Sequence, residues 1–346
     1  MDNHSAYRSF REQLLPLIRC PVCSSDKLSL INGEYEGELC FRPLSEYLRC
    51  AECGVEYPIT EDAIPVMWSA RLKRALEGGS EGESNIGANV SIYEEISNSY
   101  LAHSRNYPDI ARRMQNVARR ILGEADGCWK YHLDFGCGRG HVLGWLKREG
   151  LVQAGLDVSL KNLRSARERT GALVVCGDAA KMPFREEVFD LVTESSALHH
   201  IEDWQAVVAE SCRVCKSGGG IVLDSEPSRG QKDYGALAKI AYHSRFPVYK
   251  VLSWFQPKKY VFRSMRRALL NQKAEIHAQP GRGFPPEEVG EIMRRGGMDA
   301  EIIHWADENL QCRPRPGQKS VLLSILSFRN PYNPKYGPFT AVGRKR

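Results

Sequence analysis

A chain of 346 residues, 42% hydrophobic and 26% charged, carries enough apolar material for two globular domains and too much for a disordered segment. It holds eleven cysteines, no run of about 18 apolar residues and no signal-peptide core near its charged N-terminus. A spanning helix and a disulfide scaffold are thereby disfavoured, the cysteines point to metal ligation or burial, and the expected compartment is the cytoplasm. The net charge of +6 is unevenly spread: residues 229–273 hold eleven Lys or Arg against one acid, Asp233, a local +10.

In chain order, residues 1–19 read as a short amphipathic helix with Phe10, Leu14, Leu15 and Ile18 on one side. Residues 20–70 form a cysteine-bearing unit. Cys20-Pro-Val-Cys23 and Cys50-Ala-Glu-Cys53 are two C-x-x-C knuckles 26 residues apart, and Gly54 suits the turn that aims backbone N–H groups at sulfur. Four thiolates suffice for tetrahedral zinc and leave no open position, so the expected metal is structural. Tyr57-Pro58-Ile59 and Ala63-Ile64-Pro65-Val66 resemble the ending of the small zinc-ribbon proteins that activate methyltransferases. Residues 71–90, with their Gly/Ser/acid-rich core at 77–87, read as a flexible linker, and on that reading the cysteine unit should fold independently. Helical periodicity returns from 90 to 122, with tyrosines at 93, 100 and 107.

The stretch 129–135 reads as a buried strand, followed by a loop with Gly136, Gly138 and Gly140 and a helix over 141–149. Strand, glycine loop and helix bring backbone N–H groups up to a nucleotide-like ligand. A dinucleotide fingerprint would need a small residue where His141 stands. Gln153–Leu156 is a second strand ending in Asp157, an acid able to accept from two ribose hydroxyls. A third strand, Ala172–Cys176, leads into Gly177-Asp178-Ala179, where a carboxylate and backbone N–H suit an adenine edge. Val188–Val192 and Ile221–Leu223 give a fourth and a fifth strand. Cys212 and Cys215, on the helix before the fifth strand, read as half-buried small hydrophobes. Cys40 is isolated between the knuckles, and Cys128, Cys137, Cys176 and Cys312 read as core or near-core. A helix runs from Pro285 to Arg295 and stops at Gly296-Gly297, and the β-like stretches 300–305 and 320–328 are expected to pair as an edge hairpin.

This order of motifs resembles the class I S-adenosylmethionine-dependent methyltransferases, in the small-domain group that includes quinone C-methyltransferases. The matching residues are Asp134 to Gly140, Asp157, Gly177-Asp178-Ala179, Ala197 to Ile201 and Arg213 to Gly219; Cys215 and Ser217 depart from the family's usual Leu and Pro. The resemblance covers about residues 90–226 and 284–328. It implies an α/β fold: a Rossmann-like seven-stranded sheet with helices on both faces, over residues 91–346, beside the small N-terminal zinc ribbon. It implies S-adenosylmethionine as methyl donor, with Asp134, Gly136, Cys137, Gly138 and Gly140 around the methionine part and Asp157 on the ribose. Asp178 and Ala179 would meet the adenine, and Glu194 would line the methionine side. His199 and His200 are the candidate general bases.

A basic, aromatic insert at about 228–283 stands where this family carries a substrate lid. Its Tyr234, Tyr242, Phe246, Tyr249, Trp254, Phe255, Tyr260 and Phe262 are interleaved with the cations. Such a mixture suits a lid with its own core, an anionic membrane surface, or RNA. The expected function is methyl transfer to a small-molecule or lipid-like acceptor, with peripheral membrane association in view. The alternatives are an RNA methyltransferase and a non-catalytic binding or activator module.

Overall fold

The computed structural model describes residues 3–37, 41–77, 85, 87–89, 107–122, 130–244, 273–304, 318–330, 332, 333 and 336–346. Cys40, Cys128, Cys312, Tyr93, Tyr100 and the insert from 245 to 272 lie outside the described residues. Among the described residues, no helix is long and apolar enough to cross a membrane.

The chain opens with helix α1, Asn3–Ser9, which continues as a wider turn over Phe10–Leu14 and a tight one over Leu15–Leu17. Phe10, Leu14 and Ile18 are buried, as the amphipathic pattern requires. An antiparallel sheet follows, with β1 Leu28–Asn32, β2 Pro43–Cys50 and β3 Glu56–Thr60 in the order β1-β2-β3. Next come β4, Val66–Met67, and α2, Ala70–Glu77. The linker expected at 71–90 is therefore helical over its first seven residues. Leu72 is buried there, and Arg71 pairs with Asp203 at 3.1 Å.

The larger part of the chain contains α3 (Tyr107–Leu122), β5 (Tyr131–Phe135), α4 (His141–Trp145), β6 (Val152–Asp157), α5 (Leu160–Thr170), β7 (Leu173–Gly177) and β8 (Phe189–Ser195). It continues with α6 (Trp204–Val214), β9 (Cys215–Pro227), α7 (Arg229–Lys232), α8 (Pro286–Arg295), β10 (Met298–His304), α9 (Gln318–Leu326) and β11 (Pro338–Lys345). The sheet order is β10-β11-β9-β8-β5-β6-β7-β4. Strands β4 to β9 are parallel, and β10 and β11 run antiparallel at one edge. The parallel strands are buried on both faces and read as near-continuous apolar runs. Apolar residues of α6 and α8, such as Val207, Val208, Val289 and Met293, pack in one cluster with the N-terminal residues. Those of α3, α4 and α5 form the others.

Seven strands match the expected sheet, and the eighth comes from the cysteine unit. Val66 and Met67 pair in parallel with Cys176 and Gly177. Ile18 bridges Phe184, the Arg19 amide donates to Pro183 O at 3.1 Å, and Arg164 and Arg167 both reach Asp62. Ile18, Cys20, Ile59 and Met67 share one apolar cluster with Val175 and Phe184. The cysteine unit is thus built into the eight-stranded sheet.

The expected hairpin between 300–305 and 320–328 does not form. The apolar run of Val321 to Leu326 is helix α9, and the partner of β10 is β11, inserted between β10 and β9 with Ile303 opposite Thr340. Ala341 and Phe339 are fully buried there. Residues 339–343 are all buried, as a strand paired on both edges and covered on both faces requires, whereas Leu322 and Ile325 of the helix stay exposed. Cys212 and Cys215 are buried, and burial pushes both thiols up to about 12, as inert packing residues.

Candidate active site

A cavity of about 290 Å³ opens at the carboxyl ends of β5, β6, β7 and β8, where open parallel sheets hold ligands. Its wall includes Asp134, Gly136, Cys137, Gly138, Asp157, Asp178, Ala179 and His200. Gly140, Glu194 and His199 are not in that wall. Gly136 has φ 59°, and a Cβ there would sit 2.4 Å from Ala197 Cβ, so only glycine lets the loop approach the β8 side. The Gly138 amide donates to Asp157 Oδ2 at 2.9 Å, and the Ser159 amide donates to Oδ1 at 2.8 Å. Asp157 is thereby fixed by backbone donors, while enclosure raises its pKa. Gly140, also left-handed, closes on Ala166 behind the loop.

Asp178 Oδ1 accepts from the Ala180 amide at 2.9 Å and Oδ2 from Ser69 Oγ at 2.8 Å. Ser69 lies two residues past the end of β4, and Arg71 joins the cavity wall. The cysteine unit's trailing segment therefore helps build the pocket, which no motif in the sequence announced.

Asp134 is almost fully buried, and burial, followed by the nearby Glu194 and Asp157 carboxylates, holds its pKa well above the usual carboxylate range. Beneath it runs a polar chain. Gln153 Nε2 lies 3.0 Å from His132 Nδ1 and donates to Leu143 O at 2.9 Å. His132 Nε2 lies 2.8 Å from Thr193 Oγ1, which donates to Asp134 Oδ1 at 2.8 Å. Burial drives the His132 pKa down to about 3, so the ring is neutral. With Nδ1 accepting from Gln153, the Nε2 proton goes to Thr193 and the hydroxyl proton to Asp134. Polar residues at 132 and 193 inside apolar parallel strands were the available signal for this chain.

On the other side of the cavity, Glu194 is fully buried and accepts at Oε1 from the Ala197 and Leu198 amides, which shapes the loop 195–201. Its assigned place in the pocket lining is not seen; the carboxylate turns back into the loop. Leu198 N also donates to Glu226 Oε1 at 3.2 Å, and His199 Nδ1 lies 3.1 Å from Glu226 Oε2. Burial lifts Glu226 to about 8 and depresses His199 to about 4. His200 lines the cavity instead, and its Nδ1 lies 3.2 Å from Ala274 O. A carbonyl only accepts, so that nitrogen carries the proton and Nε2 is the basic one. Burial, then the adjacent His199, keeps the ring's pKa well below its ordinary value.

The raised pKa of Glu226 makes stability depend on pH. Between its ordinary 4.5 and about 8 the folded state holds a proton that the unfolded state has lost, so this group's contribution to stability falls as pH rises through that window. Glu226→Gln should remove it. Its stability relative to the parent chain should climb between pH 5 and 8, by up to about 1.4 kcal/mol per pH unit, and level off above. Denaturant titrations at several pH values that give a constant difference would contradict the assignment.

The four expected metal ligands come together. Cys20 Sγ lies 3.6 Å from Cys53 Sγ, Cys23 Sγ lies 3.5 Å from Cys50 Sγ, and all four sulfurs fall within 4.8 Å of one another. A tetrahedron with Zn–S bonds of about 2.3 Å needs S···S near 3.8 Å. The two knuckles repeat one pattern. The Ser24 amide donates to Cys20 O and the Gly54 amide to Cys50 O, both at 2.9 Å. Ser24 and Gly54 take the left-handed conformation. The donor set fits a closed metal site, and Tyr57 Oη stands 3.0 Å from Cys20 Sγ beside it.

Several known proteins are similar to this chain. A family model described as a methyltransferase domain matches residues 133–223. The demethylmenaquinone methyltransferase of Roseiflexus sp. (strain RS-1) is 30% identical over 185 residues, 51% of this chain and 67% of the relative. The malonyl-[acyl-carrier protein] O-methyltransferase of Hamiltonella defensa is 27% identical over 134 residues, 38% of this chain and 51% of the relative. Among solved structures, a Thermotoga maritima protein described as a SAM-dependent methyltransferase, possible histamine N-methyltransferase, aligns with a TM-score of 0.40 at 18% identity. That alignment covers 74% of this chain and 99% of the other. The chain belongs to the class I S-adenosylmethionine-dependent methyltransferases. It spans about half the length of the Hamiltonella relative and about two thirds of the Roseiflexus one.

Proposed function

We propose that this chain transfers a methyl group from S-adenosylmethionine to a small-molecule or lipid-like acceptor, with a structural zinc held by Cys20, Cys23, Cys50 and Cys53. One observation carries the reading: a single cavity gathers Asp134, the Gly136–Gly138 turn, Asp157 and Asp178 at the carboxyl ends of consecutive parallel strands. S-adenosylmethionine supplies an electrophilic methyl group on its sulfonium. Asp157, already set by two backbone donors, takes the ribose hydroxyls. Asp178 and the Ala179 amide meet the adenine. Asp134 and the glycine turn hold the methionine part, with Asp134 Oδ1 already oriented by the Thr193 hydroxyl. His200, neutral and with its proton fixed on Nδ1, is the base assigned to the acceptor; His199 instead orders the loop through Glu226. In-line transfer then needs positioning and exclusion of water more than a large catalytic set.

Two features support a lipid-like acceptor over RNA. The relatives named above are, by their names, enzymes acting on a quinone precursor and an acyl-carrier conjugate. Leu237 and Ile240 are exposed beside Leu322, Ile325 and Phe328, the two segments meeting where the Gly235 amide donates to Ser327 Oγ at 3.0 Å. These exposed apolar residues adjoin the basic segment, the composition that suits peripheral contact with an anionic membrane. Incubation with isotopically labelled methyl donor and separated lipid, metabolite and RNA fractions tests the reading. Label is expected in the lipid or metabolite fraction; label confined to RNA, or none in any fraction, would overturn it.

A further inference from the structure

Three carboxyls crowd the carboxyl ends of β5, β6 and β8. Backbone amides hold two of them, Asp157 through Gly138 and Ser159 and Glu194 through Ala197 and Leu198. Among the described residues, Asp134 has no such amide and accepts from the Thr193 hydroxyl. A hydroxyl carries one proton and rotates, and Thr193 Oγ1 also lies 3.5 Å from Leu133 O. Thr193 alone therefore does not commit its proton to Asp134. The residues behind it do. Leu143 O can only accept, so the Gln153 amide is fixed with Nε2 as its donor, and Nε2 also meets His132 Nδ1. A neutral ring accepting at Nδ1 carries its proton on Nε2, which takes a lone pair of Thr193 Oγ1 at 2.8 Å. In strand register His132 stands opposite Gln153 and Asp134 opposite Thr193, so all four share one face of three adjacent strands. His132 and Thr193 are fully buried, Gln153 and Asp134 nearly so. Apolar side chains of similar shape would fill these slots at little cost in stability, so folding the sheet does not require the polar set.

We propose that His132 and Gln153 are positioning residues for the methyl donor: they act through Thr193 to keep a hydrogen bond on Asp134 Oδ1, so that the carboxyl meets the methionine part in one orientation. The inference rests on the methyltransferase reading and adds to it residues that lie outside the cavity wall. Each link has the same consequence when it is lost. Without Gln153 the ring proton is free to move to Nδ1; Nε2 then accepts, and Thr193 donates to the ring instead of to Asp134. Without the ring, the hydroxyl is free to turn to Leu133 O. Without the hydroxyl, Asp134 Oδ1 has no donor. The adenosine part of the donor, assigned to Asp157 and Asp178, is untouched in all three cases.

Calorimetry on the full chain compares S-adenosylhomocysteine with methylthioadenosine, which keeps the adenosine and the sulfur and lacks the amino-acid part. The parent chain should prefer S-adenosylhomocysteine. In Thr193→Val, His132→Leu and Gln153→Leu that preference should fall roughly tenfold, the scale of one hydrogen bond to a charged group. Methylthioadenosine affinity should stay within about twofold, by additivity of distant sites. The double variant His132→Leu/Thr193→Val should lose no more than Thr193→Val alone, because His132 acts through that hydroxyl. Thr193→Val keeps a β-branched side chain suited to a strand, so the test survives if His132→Leu does not fold. Equal weakening of both ligands would reduce the chain of residues to packing and overturn the proposal. An unchanged preference in Thr193→Val, or losses that add in the double variant, would overturn it too, as would a parent chain that binds both ligands equally. Failure of the parent chain to bind either ligand would instead sink the methyltransferase reading itself.

Discussion

Stripping metal from the four cysteines should cost this protein its cofactor pocket as well as its N-terminal unit. A closed tetrathiolate site contributes about 10–16 kcal/mol of apparent folding free energy in small zinc domains. Independent folding, the expectation from a linker at 71–90, would confine that loss to residues 20–70. The strand pairing argues otherwise. Val66 and Met67 complete the catalytic sheet beside Cys176 and Gly177, and Ser69 Oγ holds Asp178 Oδ2 at 2.8 Å. Chelation, or Cys50→Ser, should therefore weaken S-adenosylhomocysteine binding by at least about tenfold, the cost of freeing one charge-assisted contact in a buried site. Calorimetry on metal-loaded and chelated protein measures this directly. Full cofactor affinity in protein shown by elemental analysis to lack metal would refute both the zinc and the coupling.

The second large effect is expected at Arg113. Its guanidinium meets the Asp224 carboxylate through Nε at 2.9 Å and Nη2 at 2.7 Å, with the two side chains 2% and 1% exposed. Thr340 Oγ1 and Ser225 Oγ also donate to Asp224, each at 2.7 Å. Arg113→Met would leave a buried carboxylate with hydroxyl partners alone, and breaking such a pair costs about 3–5 kcal/mol. The damage should reach function. Arg113 sits on α3, which also brings Ile110 to the cavity wall, and the Asp224 carbonyl accepts from the Ser196 amide in the pocket loop. Denaturant unfolding should show the loss, and S-adenosylhomocysteine affinity should fall with it. A destabilisation below about 1 kcal/mol would mean the pair is solvated and peripheral.

What the sequence disclosed followed from local physics. Apolar runs marked β5 to β9 because parallel strands are buried on both faces, and glycines at 136, 138 and 140 marked a loop that needs left-handed backbone. The knuckles were legible because a C-x-x-C turn repeats its own hydrogen bonds. Long-range placement was not legible. Nothing local says that Val66 and Met67 pair with β7, since two residues carry no periodicity. The run at 321–326 has apolar residues suited to either helix or strand, and only the competition of β11 for the slot beside β10 decides it. Glu194, near the end of β8, stands where the resemblance implies a residue lining the methionine side. The two amides it accepts from turn it back into the loop. Ser69 and Thr193 matter through partners more than 50 positions away, which no window along the chain can see.

The cavity at the carboxyl ends of β5 to β8 is expected to hold S-adenosylmethionine, with Asp157 on the ribose. Isothermal titration of the full metal-loaded chain with S-adenosylhomocysteine tests it most directly, in parallel with Asp157→Ala. A 1:1 isotherm is expected for the parent chain, with affinity at least about tenfold weaker in the variant, because a carboxylate accepting from two hydroxyls contributes roughly 1.5–3 kcal/mol per charge-assisted bond. No binding by the parent chain, or equal affinity in Asp157→Ala, would contradict it.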